Sequence, residues 1–331
     1  MRARALILLL LALLPACAPG YAPPGPHMNA PAFETDALLT ADGLRLPLRV
    51  WRAQGPTRAA VLALHGFNDY SLAFEGPARS WAADGVTTYA YDQRGFGDAP
   101  NRGRWPGMAA FADDATAALA EVRRRHPGVP VYLLGESMGG AIAMVTMTMP
   151  HPPPVAGVIL VAPAVWGRQT MDVFKRVALT VISGTMPWFT VSGRGLGIRA
   201  SDNDEMLRAF SRDPLVIKDT RADTVKGLVD LMDAALASAP RFTPPALILY
   251  GEKDEIVPQE PTALMLDRLP DRSGARQRIA VYPQGWHMLL RDLQAETVWR
   301  DIRAWIADPA APLPSGADKG ARERLPDRRK S

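Results

Sequence analysis

One serine in the chain has neighbours suited to nucleophilic chemistry. Ser137 lies in Gly135-Glu136-Ser137-Met138-Gly139-Gly140, directly after the apolar run 131–134 and directly before a helical pattern over 138–149. A serine on a sharp turn between strand and helix is lifted clear of both, and small flanking residues let the two elements approach without collision. The helix N-terminus behind it adds positive potential for an oxygen that gains charge during acyl transfer. Such a hydroxyl needs a base, and the base needs a group to orient it. There are five histidines. His27 falls in a proline-rich segment, and His65 and His126 precede the serine. His151, in Met149-Pro150-His151-Pro152, follows too closely to return by a separate loop. Turns of this kind take the chain order serine, acid, histidine, which leaves His287 in Gly285-Trp286-His287-Met288. For the acid, Asp254 follows the run 246–250, with Glu252 and Glu255 as rivals beside it. His65-Gly66-Phe67 closes the run 59–64. Gly66 there would let the backbone pass near the serine, so that the N–H groups of Phe67 and Met138 aim at one spot; an ordinary strand-end turn is the alternative.

The elements that must position these residues follow an alternating rhythm. Short β-rich runs recur at 44–51, 59–64, 86–91, 131–134, 155–161, 246–250 and 279–282, with helical patterns at 111–125, 138–149 and 293–306. Short all-apolar strands alternating with helices predict an α/β domain, a mostly parallel sheet covered by helices on both faces. Its site belongs at the C-terminal ends of the strands. The stretch 166–241 breaks the rhythm, with helical patterns and no clear strand, and reads as a helical cap inserted before the acid-bearing strand. Trp166, Met171, Phe174, Met186, Trp188 and Phe189 within it fit either an acyl pocket or the core of the cap.

Taken together, these motifs resemble the α/β-hydrolase superfamily and, within it, the monoacylglycerol lipase and lysophospholipase-like group that is also filed with serine aminopeptidases. The resemblance covers roughly residues 33–308. It rests on His65-Gly66-Phe67, Tyr91-Asp92-Gln93-Arg94-Gly95-Phe96-Gly97, Gly135-Glu136-Ser137-Met138-Gly139-Gly140, Gly251-Glu252-Lys253-Asp254 and Gly285-Trp286-His287. It implies the α/β-hydrolase fold, nucleophile Ser137, acid Asp254, base His287, oxyanion donors at Phe67 and Met138, and an acyl-ester or lipid substrate. The chain departs from the group's usual pattern at Phe67-Asn68-Asp69-Tyr70, at Glu136 and at Phe96 to Ala99. Neither metal nor organic cofactor is required by this chemistry. A peptidase or acyltransferase could use the same three residues. An aminopeptidase would recruit acids such as Glu136, Asp202, Asp204 or Glu205 to hold the substrate's amino group.

The two ends read differently from the body. Residues 1–16 join Arg2 and Arg4 to the unbroken apolar run 5–14, about half the ~20 residues a bilayer-spanning helix needs and the length of a signal-peptide core. Leu14-Pro15-Ala16-Cys17 resembles the lipobox of bacterial lipoproteins, and Cys17 is the only cysteine in the chain. The alternative is an ordinary secretory signal cut nearby. The lipobox reading implies acylation of Cys17 and a membrane anchor. With Ala18 after the cysteine, it also implies the periplasmic face of the outer membrane. Residues 18–32, eleven of which are Pro, Ala or Gly, predict an extended tether, and 309–331 predicts a disordered basic tail. The net charge of +4 contains +2 in 1–16 and +3 beyond residue 308, so the body stands near −1. A nucleic-acid binder carries its positive excess on the folded body, which sets that class aside. With 47% hydrophobic and 22% charged residues the chain is ordinarily globular. A non-catalytic envelope lipoprotein is the competing class, though such a protein should have lost part of the serine, acid and histidine set.

Overall fold

The computed structural model describes residues 20–193, 197–271, 274 and 276–326. Residues 1–16 and Cys17, the proposed signal and acylation site, lie outside the described residues. The core is a nine-stranded sheet with the order β1-β2-β3-β5-β4-β6-β7-β10-β11. Its strands are β1 (Ala32–Phe33), β2 (Ala37–Leu39), β3 (Arg45–Trp51), β4 (Ala59–Leu64), β5 (Val86–Tyr91), β6 (Val131–Glu136), β7 (Gly157–Val161), β10 (Ala246–Gly251) and β11 (Gln277–Tyr282). The first three strands and the β3–β5 pair are antiparallel. All pairs from β5 to β11 are parallel. The parallel strands are apolar and buried almost throughout, because helices cover both faces.

On one face lie α2 (Met108–Arg125), α3 (Met138–Thr146) and α7 (Gln259–Arg268), contributing Phe111, Leu119, Ile142 and Leu266 to a single core. On the other lie α1 (Glu75–Ala82) and α8 (Ala295–Ala307), whose Trp81, Ile302 and Trp305 pack against the opposite side chains of the same strands. Both α2 and α8 follow the apolar spacing read from the sequence, to within three residues at each end. The fold is the α/β arrangement that the alternating pattern predicted.

Several local expectations need correction. The cap stretch contains α4 (Val173–Thr185), α5 (Asp204–Arg212) and α6 (Ala222–Ser238), but also a two-stranded antiparallel ribbon of β8 (Thr190–Ser192) and β9 (Asp219–Arg221). Three-residue strands of mixed polarity have no alternation to read. Helix α6 is part of the body's packing: Leu231, Ala235 and Leu236 are buried in the core that holds α3. Residues 20–32 are not a free tether. The Ala22 N–H donates to the Trp105 carbonyl (2.9 Å), and the Met28 and Asn29 N–H groups both donate to the Ala41 carbonyl (2.7 and 3.0 Å). Nor is the tail disordered over 309–326. Leu313, Ala321 and Leu325 are buried, the Val281 N–H on β11 donates to the Ala317 carbonyl (2.9 Å), and the Ser315 hydroxyl donates to Asp301. Backbone hydrogen bonds and three scattered apolar anchors do this, and neither leaves a periodic trace.

Candidate active site

Ser137 sits between β6 and α3 with φ 52° and ψ −114°, a strained conformation for a residue with a side chain. The turn is held on both sides: the Ser137 N–H donates to the Val161 carbonyl on β7, and its own carbonyl accepts from the Ala164 N–H (both 2.9 Å). The helix passes so close to β4 that a Cβ on Gly139 would lie 2.0 Å from the Leu64 carbonyl oxygen. Only glycine fits there, and the tightness of that approach keeps the serine raised.

His287 follows β11, and Asp254 follows β10, the adjacent parallel strand. Their loops are tied together by the Lys253 N–H donating to the Gly285 carbonyl (2.9 Å). Gly251 makes that contact possible, since a Cβ there would meet the Gly285 carbonyl carbon at 2.5 Å. The structure brings the three side chains into one series. Ser137 Oγ lies 2.9 Å from His287 Nε2, and His287 Nδ1 lies 2.8 Å from Asp254 Oδ2. The other Asp254 oxygen accepts the N–H groups of Ile256 and Val257 (2.8 and 2.9 Å), which locks the carboxylate toward the imidazole.

The rivals go elsewhere. Glu255 accepts the Arg199 N–H (2.6 Å), and Glu252 stands 3.8 Å from Arg324. His151 is exposed. His126 meets the Tyr89 hydroxyl (2.9 Å). His65 is buried, accepts the Gln93 N–H at Nε2 (2.9 Å) and donates from Nδ1 to the Gly66 carbonyl (2.8 Å). It thereby braces the loop that presents Phe67. Among the described residues neither the Phe67 nor the Met138 N–H has a hydrogen-bond partner.

Burial alone would push the His287 pKa below its ordinary value, because an imidazolium loses solvation. The adjacent Asp254 carboxylate, acting through charge and hydrogen bond, and the field of Glu136 outweigh that, so the value is raised. Burial also pushes Glu136 up, against the pull of Arg291. Both Glu136 oxygens are buried and lack hydrogen bonds, with Arg291 Nη2 at 3.5 Å. Arg291 instead donates to Asp69 (2.5 Å). The sequence offered no sign of this Asp69–Arg291–Glu136 wall, because the Asp69–Arg291 bond joins residues 222 positions apart.

These residues border a cavity of about 400 Å³. Ser137 and His287 line it, with Glu136, Asp69 and Arg291 as its polar wall. Trp166, Met171, Val225, Leu228, Met232 and Ile256 supply apolar walls, most of them from the cap. The other four residues considered for an acyl pocket, Phe174, Met186, Trp188 and Phe189, are exposed, so they neither line the cavity nor form a cap core. Of the four acids weighed for an aminopeptidase, Glu136 alone lines the cavity; Asp202 accepts the Leu293 N–H and Asp204 pairs with Arg199, both outside it.

A mostly parallel sheet with helices on both faces, a strained serine turn at the end of one inner strand, and acid and histidine loops after two neighbouring parallel strands define the α/β-hydrolase class. Within that class, residues 55–294 match the family model described as "Serine aminopeptidase, S33", and the chain belongs to that family. It is 25% identical over 291 residues to the monoglyceride lipase of Homo sapiens, covering 86% of this chain and 93% of that one. It is 25% identical over 266 residues to the monoacylglycerol lipase of Mycolicibacterium smegmatis, covering 80% and 93%. The solved structure of Paleococcus ferrophilus monoacylglycerol lipase superposes with a TM-score of 0.66 at 22% identity, over 79% of this chain and 98% of that one.

Proposed function

We propose that the protein is a serine hydrolase of carboxylic esters, acting on monoacylglycerols, lysophospholipids or similar single-chain acyl esters. The observation that carries this reading is the hydrogen-bonded series Ser137–His287–Asp254 opening onto a largely apolar cavity. Its volume of about 400 Å³ lies in the range of small-molecule sites and suits one acyl chain with a small head group.

In this reading the Ser137 hydroxyl attacks the acyl carbonyl while His287 Nε2 takes its proton. The Nδ1–H of His287 donates to Asp254, which fixes the tautomer and stabilises the imidazolium that forms. The free N–H groups of Phe67 and Met138 receive the oxyanion, aided by the N-terminus of α3. His287 returns the proton to the departing alcohol, leaving an acyl group on Ser137. Water then gives its proton to His287, attacks the acyl carbon and releases the acid. A free amino group is a poor fit beside Ser137, because Arg291 already stands against Glu136. That observation favours esters over aminopeptidase substrates.

From the apolar run 5–14 and Leu14-Pro15-Ala16-Cys17-Ala18 we further propose that the protein belongs to a bacterial envelope, acylated at Cys17 and facing the periplasm from the outer membrane. The test is a chain-length series of p-nitrophenyl esters and monoacylglycerols on the Cys17→Ser protein, with Ser137→Ala as control. The expected result is a medium or long acyl preference that vanishes in the control. Turnover of aminoacyl amides in preference to esters would overturn it.

A further inference from the structure

The turn that presents the Phe67 N–H is held from the cap. Asn68 has φ 64°, in the left-handed region that suits glycine and, next best, asparagine. The Asp69 N–H donates back to the Gly66 carbonyl (3.3 Å), closing a four-residue turn with Asn68 in its third place. That turn stands against the nucleophile: a Cβ on Gly66 would lie 3.4 Å from the Ser137 Cβ.

Three peptide groups then form a line. The Ile217 N–H, in the cap, donates to the Asn68 carbonyl (3.0 Å). The peptide that holds this carbonyl also holds the Asp69 N–H, which donates to the Gly66 carbonyl. The Gly66 carbonyl shares its own peptide with the Phe67 N–H, which has no partner among the described residues. In a trans peptide the C=O and N–H point opposite ways, so each bond in the line directs the next donor. Hydrogen bonds in such a chain also polarise one another, which strengthens the last donor. His65 Nδ1 pins the Gly66 carbonyl from a second side (2.8 Å).

The Asn68 side chain clamps this line to the cap. Its Nδ2 donates to Thr220 Oγ1 on β9 (2.8 Å), and Thr220 is buried. Two residues further on, the Tyr70 hydroxyl donates to Asp213 Oδ2 (2.6 Å). We propose that Asn68 is a positioning residue for ester hydrolysis: bonded to Thr220 and Ile217, it holds the Phe67 N–H in line for the oxyanion, so that the cap sets the oxyanion hole as well as covering the cavity. The inference rests on the acyl-transfer reading above, and its test separates the two.

An alkyl trifluoromethyl ketone reports on the hole itself. Ser137 Oγ adds to its carbonyl carbon, the Oγ proton passes to His287 Nε2, and the carbonyl oxygen becomes an oxyanion facing Phe67 and Met138. Asn68→Gly keeps the left-handed turn and removes the clamp; Thr220→Val removes it from the other side. Each should raise the ketone's inhibition constant about tenfold and lower kcat for a p-nitrophenyl ester by a similar factor, with KM unchanged. The double variant should be no worse than the worse single, because both remove one bond. Thr220→Ser keeps the hydroxyl and should match wild type. Thr224→Val, on α6, loses a buried hydroxyl bonded to the Gly103 carbonyl (2.9 Å) and should lower thermal stability without moving the inhibition constant. That constant does not depend on the fraction of enzyme folded. An unchanged value in Asn68→Gly and Thr220→Val, with the wild type inhibited, therefore overturns the proposal and leaves the acyl-transfer reading standing. Additive losses in the double variant, or an equal rise in Thr224→Val, overturn it too. A wild type that the ketone does not inhibit overturns the acyl-transfer reading and the proposal together.

Discussion

Around Ser137 nearly every side chain of β6 and α3 is enclosed, and glycine is obligatory wherever the two elements meet. In α4, thirty-six residues further on, apolar side chains of the same kinds stand in the open. Both segments are apolar in sequence, so apolarity alone does not tell a core from a surface. What differs is the constraint around them. The serine turn is fixed by neighbours on three strands, down to the placement of single atoms, whereas α4 touches little besides α6. In the first region chemistry demands fixed geometry; in the second the open face is free to meet something outside the chain.

The largest expected effects come from disturbing the enclosed region. Ser137→Ala should lower ester turnover by a factor of about 10⁶ and Asp254→Asn by about 10⁴ through the wrong imidazole tautomer, both with native circular dichroism. Phe174→Ser on α4 should leave a short soluble ester at wild-type rate. Near-wild-type activity in Asp254→Asn would hand the orienting role to another acid and break the comparison.

One substitution made in both regions sharpens the contrast. Gly139→Ala drives a methyl against the Leu64 carbonyl and should destabilise by more than about 2 kcal/mol. Gly184→Ala, with nothing within 4 Å of the added carbon, should stabilise α4 by about 0.5–1 kcal/mol. Thermal unfolding of the two variants reads both signs, and equal shifts would contradict the account.

The smallest effect concerns pH. The proposed mechanism requires neutral His287, so with its pKa raised the acid limb of the kcat/KM profile is expected above the ordinary imidazole value. Glu136 contributes to that rise. Glu136→Gln removes its negative field without breaking a hydrogen bond and should move the limb to lower pH, by less than about one unit. A shift to higher pH would show that Glu136 acts on His287 in the opposite sense.

Where a property was written locally, it could be read locally. Strands β4 and β5 begin and end where their apolar runs do. Strand β6 runs two residues further than expected because Gly135 and Glu136, which look like turn residues, still pair with Leu160 and Val161. The residues of the Ser137–His287–Asp254 series could be picked out because a strand-end turn announces each one. The wall of Asp69, Arg291 and Glu136 could not, since an ion pair across most of the chain has no local signature. The same holds for β1, β2, β8 and β9, too short for a period, and for the packed tail beyond residue 308. Gly20 and Asp223 are bonded over 203 positions, and only the folded chain shows that this glycine of the proline-rich segment meets the cap.

The central claim is that Ser137 is the residue that accepts the acyl group. An alkyl fluorophosphonate reacted with the intact Cys17→Ser protein, followed by peptide mass mapping, tests it most directly. The account predicts one equivalent of label on the peptide bearing Ser137, slowed by prior addition of a monoacylglycerol and absent from Ser137→Ala. Label on a different residue, or full ester turnover after Ser137 has been blocked, would contradict it.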